Sequence, residues 1–180
     1  MKQRAKIKKK NKVVSELIEY KPNSASENAE CIHKYEELKV ELWCDKHYHN
    51  RLNYGDSNGK REGIEVNGVQ HLIINSFKYL LDIYLRGIQF KFINYFNPKE
   101  PKKTPIRIIL KTPINETILN VVAEIHYLET SKFEITVITA MSIDDFRVAD
   151  GQYSLMVNKN NVVLRRNIRK NMDLVHRLSI

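Results

Sequence analysis

Histidine and arginine residues recur in this 180-residue chain at spacings that could support acid–base chemistry on an anionic group. In His47-Tyr-His-Asn-Arg51, the first and last residues lie four positions apart and would share one face of a helix. The stretch Arg61-Glu62-Gly63-Ile64 follows after a turn-rich loop. An imidazole exchanges protons near neutral pH, and a guanidinium stabilises developing negative charge. The pattern therefore suits an anionic scissile group, and the alternative is a short connecting helix with ordinary surface residues.

A second candidate set lies on segments in which apolar and polar residues alternate. Residues two apart on a strand point to the same face of a sheet. Such a face could offer a general acid–base group and cations for developing phosphate charge. The alternative is an ordinary solvated face of an antiparallel sheet. The polar residues that this reading places on one face are Arg107, Lys111, Glu124, His126, Glu134 and Thr136.

Cysteine and histidine residues also permit a metal-site interpretation. Cys31-Ile-His33 and Cys44-Asp-Lys-His47-Tyr-His49 hold enough ligands for zinc, but their spacings match no common structural zinc pattern. We therefore predict no metal and no cofactor. The acidic segment 142–152 lacks the spacing of a calcium loop and is interpreted as a connecting turn, with Asp150-Gly151 as its hairpin signal. From this turn, Arg147 could project towards a ligand.

The elements that must position these groups change character along the chain. From Val66 to Arg86, apolar residues recur at i, i+3 and i+4, which predicts an amphipathic helix ended by Gly87. After it the period falls to about 2, and short turns favour antiparallel neighbours. We expect an α+β fold with N-terminal helices packed on a four- to six-stranded antiparallel sheet. The candidate strands are 89–96, 105–112, 118–128, 132–141, 152–157 and 162–166, with 35–43 as an earlier strand or extended lead-in.

The basic charge of the chain is concentrated at its two ends. Thirty Lys and Arg residues against 21 Asp and Glu residues give a formal net charge of +9. Residues 1–12 hold seven basic and no acidic residues, and 165–180 are also strongly basic, so the remainder is slightly acidic. Basic ends attract phosphate backbones and lose affinity with salt, although a solubilising tail is the alternative. We divide the chain into a disordered basic arm (1–12), an N-terminal extension (13–45), an α+β domain (46–166) and a basic C-terminal tail (167–180).

The composition excludes several classes of protein. No run approaches the roughly 18 apolar residues of a membrane-spanning helix, and the start lacks the apolar core of a secretory signal. Two cysteines fit a reducing compartment. Six glycines without a phosphate-loop or dinucleotide fingerprint argue against a nucleotide-binding α/β enzyme. We expect a cytoplasmic protein that does not partner with a membrane.

The order of these features resembles the small endoribonucleases of the RelE/RegB type, within the barnase–EndoU–colicin–RelE superfold. The shared features are His47-x3-Arg51, then Arg61-Glu62-Gly63-Ile64, an amphipathic helix and a four-stranded antiparallel meander. Ile135-Thr-Val-Ile-Thr139 is similar to the late threonine-bearing strand of that superfold. The likeness spans about residues 45–166, and it departs from the pattern in the longer loop 53–60 and in the N-terminal segment.

The resemblance implies metal-independent cleavage of RNA, in which the ribose 2′-OH attacks the adjacent phosphate and leaves a cyclic phosphate. Two histidines would be the general base and acid, three cations would stabilise the phosphorane, and a threonine or glutamine would position the phosphate. The implied catalytic residues are His47, Arg51, Arg61, Lys111, His126 and Thr139, and the implied substrate-binding residues are Lys78, Arg107, Arg147 and Gln152.

RNA is the expected partner, with the ribosome or a cognate protein inhibitor as further candidates if the enzyme acts as a toxin. A non-catalytic nucleic-acid-binding or ribosome-associated protein that uses its basic termini is the main alternative. A third hypothesis is an interaction module whose Tyr and Phe residues form a partner surface on the sheet.

Overall fold

The computed structural model describes residues 20–21, 29–35, 39–55, 63–97, 99, 104–129 and 132–180, with side chains described from residue 39 onward. Within these ranges there are two helices and ten strands. The helices are α1 (Lys46–Tyr54) and α2 (Val66–Leu85). The strands are β1 (Tyr20–Lys21), β2 (Ala29–Tyr35), β3 (Val40–Cys44), β4 (Ile93–Tyr95), β5 (Arg107–Ile114), β6 (Thr117–Glu129), β7 (Lys132–Ser142), β8 (Tyr153–Val157), β9 (Asn161–Ile168) and β10 (Asn171–Ser179).

All ten strands join one mixed sheet. Its order is β1-β2-β3-β7-β6-β5-β8-β9-β10, and β4 pairs with the part of β6 that β5 leaves uncovered. The pairs β3–β7, β4–β6 and β5–β8 are parallel, and the other pairs are antiparallel. The expected fold of N-terminal helices on a four- to six-stranded antiparallel sheet is therefore wrong. Short turns predict the pairing of consecutive strands only. The parallel pairs join strands that are distant in the sequence, so turn lengths do not predict them.

Helix α2 covers one face of this sheet. Its buried side chains follow the helical period, as the sequence predicts, and the helix begins at Val66 and ends at Leu85. Gly87 follows with a φ of +84°, a left-handed conformation that glycine adopts without a Cβ penalty. The strands contribute their alternate apolar residues, such as Ile108 and Ala123, to the same core. In the described part of the chain, no helix is long and apolar enough to cross a membrane.

Helix α1 directly follows β3 and is anchored in its first turn. The Asp45 carboxylate accepts the backbone N–H of His47 at 2.8 Å, which caps the first turn. The backbone N–H of Asp45 donates to the Val137 carbonyl, so the helix begins against β7. The buried hydroxyl of Tyr48 donates to the carbonyl of Ile64 at 2.7 Å and ties the approach to α2 to α1. The short helix considered for His47 and Arg51 is thus present.

The connection between β7 and β8 differs from the expected hairpin. Strand β8 pairs with β5 in parallel rather than with β7, so residues 143–152 cross over β6 and β5. Phe146 and Val148 of this crossover pack with Ile109 and Val122 in a second apolar cluster. The turn at Asp150-Gly151 bonds instead to the β9–β10 end, since the Asp150 carboxylate accepts the backbone N–H of Arg169.

The basic C-terminal residues belong to the sheet. Strands β9 and β10 form an antiparallel hairpin along the end of the sheet, with a bulge between Leu174 and His176. Residues 167–180, which the sequence analysis assigns to a tail, therefore include an edge strand. Residues 1–12, the predicted arm, lie outside the described residues.

Candidate functional site

An ion-paired cluster lies on the face of the sheet opposite α2, which we call the polar face. It consists of Arg107 on β5 and Glu124 and His126 on β6. Arg107 Nε donates to Glu124 Oε1 at 2.8 Å, and His126 Nε2 lies 3.4 Å from Glu124 Oε2. Arg107 stands directly opposite Glu124 in the register, and His126 follows two positions later on the same face. The sequence predicts Arg107, Glu124 and His126 on one face, and the strand pairing confirms it.

Exposure differs sharply among the three side chains. The Glu124 side chain is 1% exposed, whereas those of His126 and Arg107 are 23% and 44% exposed. Burial alone would raise the pKa of Glu124, but the hydrogen bonds and charges of His126 and Arg107 outweigh it and lower that pKa. The carboxylate is therefore ionised and buried, and it presents an imidazole and a guanidinium to solvent.

This arrangement can do acid–base chemistry on an anion. A buried carboxylate that faces one imidazole nitrogen fixes the orientation of the ring, which leaves Nδ1 of His126 to exchange a proton with a substrate. The neighbouring Arg107 can donate N–H bonds to phosphate oxygens while it stays held by Glu124. The alternation in the sequence predicts Glu124 on this face but assigns it no role. The Glu-x-His spacing on β6, with an arginine on the neighbouring strand β5, is the sequence signal for the role of Glu124 in the cluster.

Two other residues expected on the polar face are closed to solvent. Thr136 stands opposite Glu124, and Glu134 stands opposite His126, both on β7. Both side chains are buried, at 0% and 1% exposure. Of this part of the polar face, Arg107 and His126 are therefore the chemically competent groups that reach solvent.

A second contact joins two of the predicted catalytic residues. Arg51 Nη1 donates to Thr139 Oγ1 at 3.0 Å, which connects α1 to β7. His47 lies one helical turn before Arg51 and is exposed. Thr139 is three positions from Thr136 along β7, a distance of about 10 Å at strand rise. The predicted partner histidines, His47 and His126, thus belong to two separate groups.

The glycine of the Arg61-Glu62-Gly63-Ile64 motif has a structural explanation. Arg61 and Glu62 lie outside the described residues, so the predicted role of Arg61 stays a prediction. A Cβ atom at Gly63 would lie 2.5 Å from the Leu52 carbonyl oxygen and 2.9 Å from that of Arg51. Gly63 therefore passes against the backbone of α1 at Leu52 and at Arg51, the residue that contacts Thr139.

Lys111 lies apart from the ion-paired cluster. It is four positions from Arg107 on β5, about 13 Å at strand rise. Its Nζ is 5.8 Å from the centre of the Phe146 ring on the crossover. Burial lowers the pKa of Lys111. Arg147, the next residue of the crossover, is exposed.

The remaining predicted substrate-binding residues lie elsewhere. Lys78 is exposed on α2, the helix on the opposite face of the sheet from His126. Gln152 closes the turn at the end of the crossover, where its side-chain oxygen accepts the backbone N–H of Ala149 at 2.9 Å. The structure thus gives Gln152 a role in the turn and does not bring Lys78 to the cluster.

The candidate metal ligands Cys44 and His47 differ in their exposure to solvent. Cys44 is fully buried in the core beneath α2, whereas His47 is exposed. The side chains of Cys31 and His33 lie outside the described part. Within the described residues, no group of three or more His, Cys, Asp or Glu side chains is arranged to hold a metal ion.

No protein-family model, no curated protein and no solved structure matches this chain.

Proposed function

We propose that this protein is a metal-independent endoribonuclease that uses the polar face of β5 and β6. The observation that supports the proposal is the contact of the buried Glu124 carboxylate with both Arg107 and His126. The resemblance in the sequence implies the same reaction, with His126 as an acid–base group.

The proposed reaction needs few groups. His126 takes the proton of a ribose 2′-OH, whose oxygen attacks the adjacent phosphorus atom. The bond from phosphorus to the 5′-oxygen then breaks, that oxygen takes a proton from solvent, and a cyclic phosphate remains. Arg107 stabilises the negative charge that develops on the non-bridging oxygens of the phosphate. A metal ion has this role in other nucleases. Glu124 touches neither reacting oxygen and acts as a positioning residue.

A set of variants tests the proposal. Purified protein is incubated with single-stranded RNA in EDTA, and the products are analysed for 2′,3′-cyclic phosphate ends. His126→Ala and Arg107→Ala should each lower the cleavage rate about 100-fold or more, the usual contribution of one acid–base or charge-stabilising group. His71→Ala, which removes an exposed histidine on α2, is the matched control and should cleave normally.

The outcomes separate the alternatives. Full activity of His126→Ala would overturn the assignment, and loss of all activity in EDTA would overturn the metal-independent mechanism. Glu124→Gln should lower the cleavage rate more than the affinity for RNA, because the imidazole loses the carboxylate that orients it, and an unchanged rate would exclude the positioning role.

Binding to nucleic acid without cleavage is the second candidate function. The observation that favours it is the group of exposed cations on the β9–β10 hairpin. Each could neutralise a backbone phosphate, which would make affinity fall steeply with salt. Binding by a protein that leaves every RNA intact would favour this candidate over the nuclease. The exposed cations are Arg165, Arg166, Arg169, Lys170 and Arg177.

A further inference from the structure

Strand β4 runs beside the ion-paired cluster and is followed directly by an exposed aromatic residue. Asn94 stands directly beside His126 in the parallel pair β4–β6. The Asn94 amide fixes this position, because it donates to the carbonyls of Ile106 and Ile125 at 3.0 and 3.2 Å and accepts the Ile106 N–H at 2.6 Å. The lateral position of β4 next to His126 is therefore set by three hydrogen bonds.

Two exposed apolar residues follow Asn94 and His126 closely in the sequence. Phe96 is two positions after Asn94, and Leu128 is two positions after His126. Phe96 directly follows β4, so its Cα lies within about 7 Å of that of Asn94, the residue paired with His126. Leu128 lies at a bulge of β6 between Tyr127 and Glu129. Phe96 is 82% exposed and Leu128 is 40% exposed.

Strand β4 is held on its other face as well. Tyr95 packs against Tyr127 with ring centres 5.6 Å apart, which braces β4 on β6 from the face that α2 covers. The end of β4, where Phe96 follows, is therefore fixed next to β6 through both Asn94 and Tyr95.

We propose that Phe96 is a stacking platform for an unpaired RNA base whose own phosphate lies at Arg107 and His126. This inference rests on the proposed function and specifies its substrate as single-stranded RNA. A flat ring beside a cationic phosphate-binding group matches the base and phosphate that one nucleotide carries together.

The inference has a direct consequence for specificity. A base inside a duplex is covered by its neighbours and offers no face to an aromatic side chain, whereas an unpaired base can be splayed out and stacked. The enzyme should therefore bind and cut single strands and loops and leave continuous duplex intact.

A binding experiment tests this without requiring cleavage. The probe is a short fluorescent single-stranded RNA with 2′-O-methyl riboses, which cannot attack the phosphate. Phe96→Ala should weaken binding about 5-fold or more, the usual effect of removing one stacking side chain, and Phe96→Tyr should bind like the wild type. Tyr54→Ala is the matched control, because Tyr54 is an 83% exposed aromatic residue on α1.

Fluorescence provides an independent measurement. The chain has one tryptophan, Trp43, which is 1% exposed. Phe96→Trp adds a solvent-exposed indole, whose emission should be quenched by single-stranded RNA and not by the same sequence in a duplex. The wild type supplies the background from Trp43.

The two proposals fail in different ways. Equal affinity of Phe96→Ala and wild type, with no quenching of Phe96→Trp, would overturn the stacking platform even if the enzyme cleaves RNA. Loss of affinity in Phe96→Ala together with no cleavage by the wild type would support the platform and overturn the nuclease. Equal binding of duplex and single strand would overturn the inferred substrate.

Discussion

Arg51 of α1 and Thr139 of β7, 88 positions apart in the chain, are joined by a hydrogen bond of 3.0 Å from Nη1 to Oγ1. The contact links the helix that follows β3 to the strand that lies beside β3 in the sheet. The resemblance implies a catalytic role for both residues, and their observed contact gives each a defined structural partner.

The Arg51–Thr139 bond should show coupling in a double-mutant cycle. Thr139→Val removes the hydroxyl at nearly constant volume, and Arg51→Met removes the charge but keeps most of the aliphatic stem. We expect a coupling free energy of about 1 kcal/mol, which is less than usual for a charged donor because Arg51 is partly solvated. Urea unfolding of the four proteins measures it. Additive effects of the two substitutions would show that the bond contributes nothing to stability.

Gly63 should tolerate no side chain. Gly63→Ala places a methyl group against backbone atoms of Leu52 and Arg51, so α1 or the Gly63 segment must move. We expect a loss of about 1 to 3 kcal/mol in the free energy of unfolding, typical of overpacking.

Gly68 is the matched control for this substitution. It lies in the first turns of α2, and a Cβ there would meet no atom within 4 Å. Gly68→Ala should stabilise the protein by up to about 1 kcal/mol, because alanine loses less conformational entropy than glycine in a helix. Similar losses in both alanine variants would contradict the close approach at Gly63.

The contribution of Glu124 to stability should depend on pH. The pKa of Glu124 is lowered in the folded protein, so the unfolded chain takes up its proton at a higher pH than the folded chain does. The stabilisation is therefore complete above the ordinary glutamate pKa of about 4.3 and disappears as the pH falls through the lower folded-state value. At pH 7 we expect Glu124→Gln to lower the free energy of unfolding by about 1 to 2 kcal/mol. This value allows for the solvent around Arg107, which weakens its ion pair with Glu124.

Unfolding measured from pH 7 down to pH 3 tests this sign. The difference between wild type and Glu124→Gln should shrink as the pH falls below about 4. A difference that is constant over this range would show that packing, rather than the charge of the carboxylate, accounts for the loss.

The charge of Lys111, unlike that of Glu124, should destabilise the folded protein at neutral pH. Burial lowers the pKa of Lys111, so its charged form is less favourable in the folded than in the unfolded protein. This cost is present at neutral pH and disappears as the pH rises towards the ordinary lysine pKa of about 10.4. Lys111→Met, which keeps the stem beside Phe146, should raise the unfolding temperature at pH 7 by about 2 to 4 °C.

Scanning calorimetry at pH 7 and pH 10 distinguishes this effect from a general packing gain. The gain in unfolding temperature from Lys111→Met should be smaller at pH 10. All other ionisable groups are the same in the two proteins, so the change in this gain reports the charge of Lys111. A lower unfolding temperature for Lys111→Met at pH 7 would indicate that the Lys111–Phe146 contact outweighs the cost of burying the charge.

Local pattern accounts for the part of the fold that the sequence predicts correctly. The helical period of 66–86 and the alternation of 105–112, 118–128 and 132–141 are properties of neighbouring residues, so they identify α2, β5, β6 and β7 and assign side chains to faces. The same alternation places Arg107 and His126 on one face before any contact between strands is known.

The sequence by itself thus determined α2, the strands β5 to β7 and which of their side chains share a face, whereas its basic C-terminal residues did not indicate β10. The tertiary structure decided which strand edges meet, including the parallel pairs β3–β7 and β5–β8, because these depend on packing and loop closure over long stretches of chain. It also decided exposure. Glu134 and His126 stand opposite each other in the sheet, yet Glu134 is buried and His126 reaches solvent. That difference comes from what packs over each strand, and no periodicity within a strand records it.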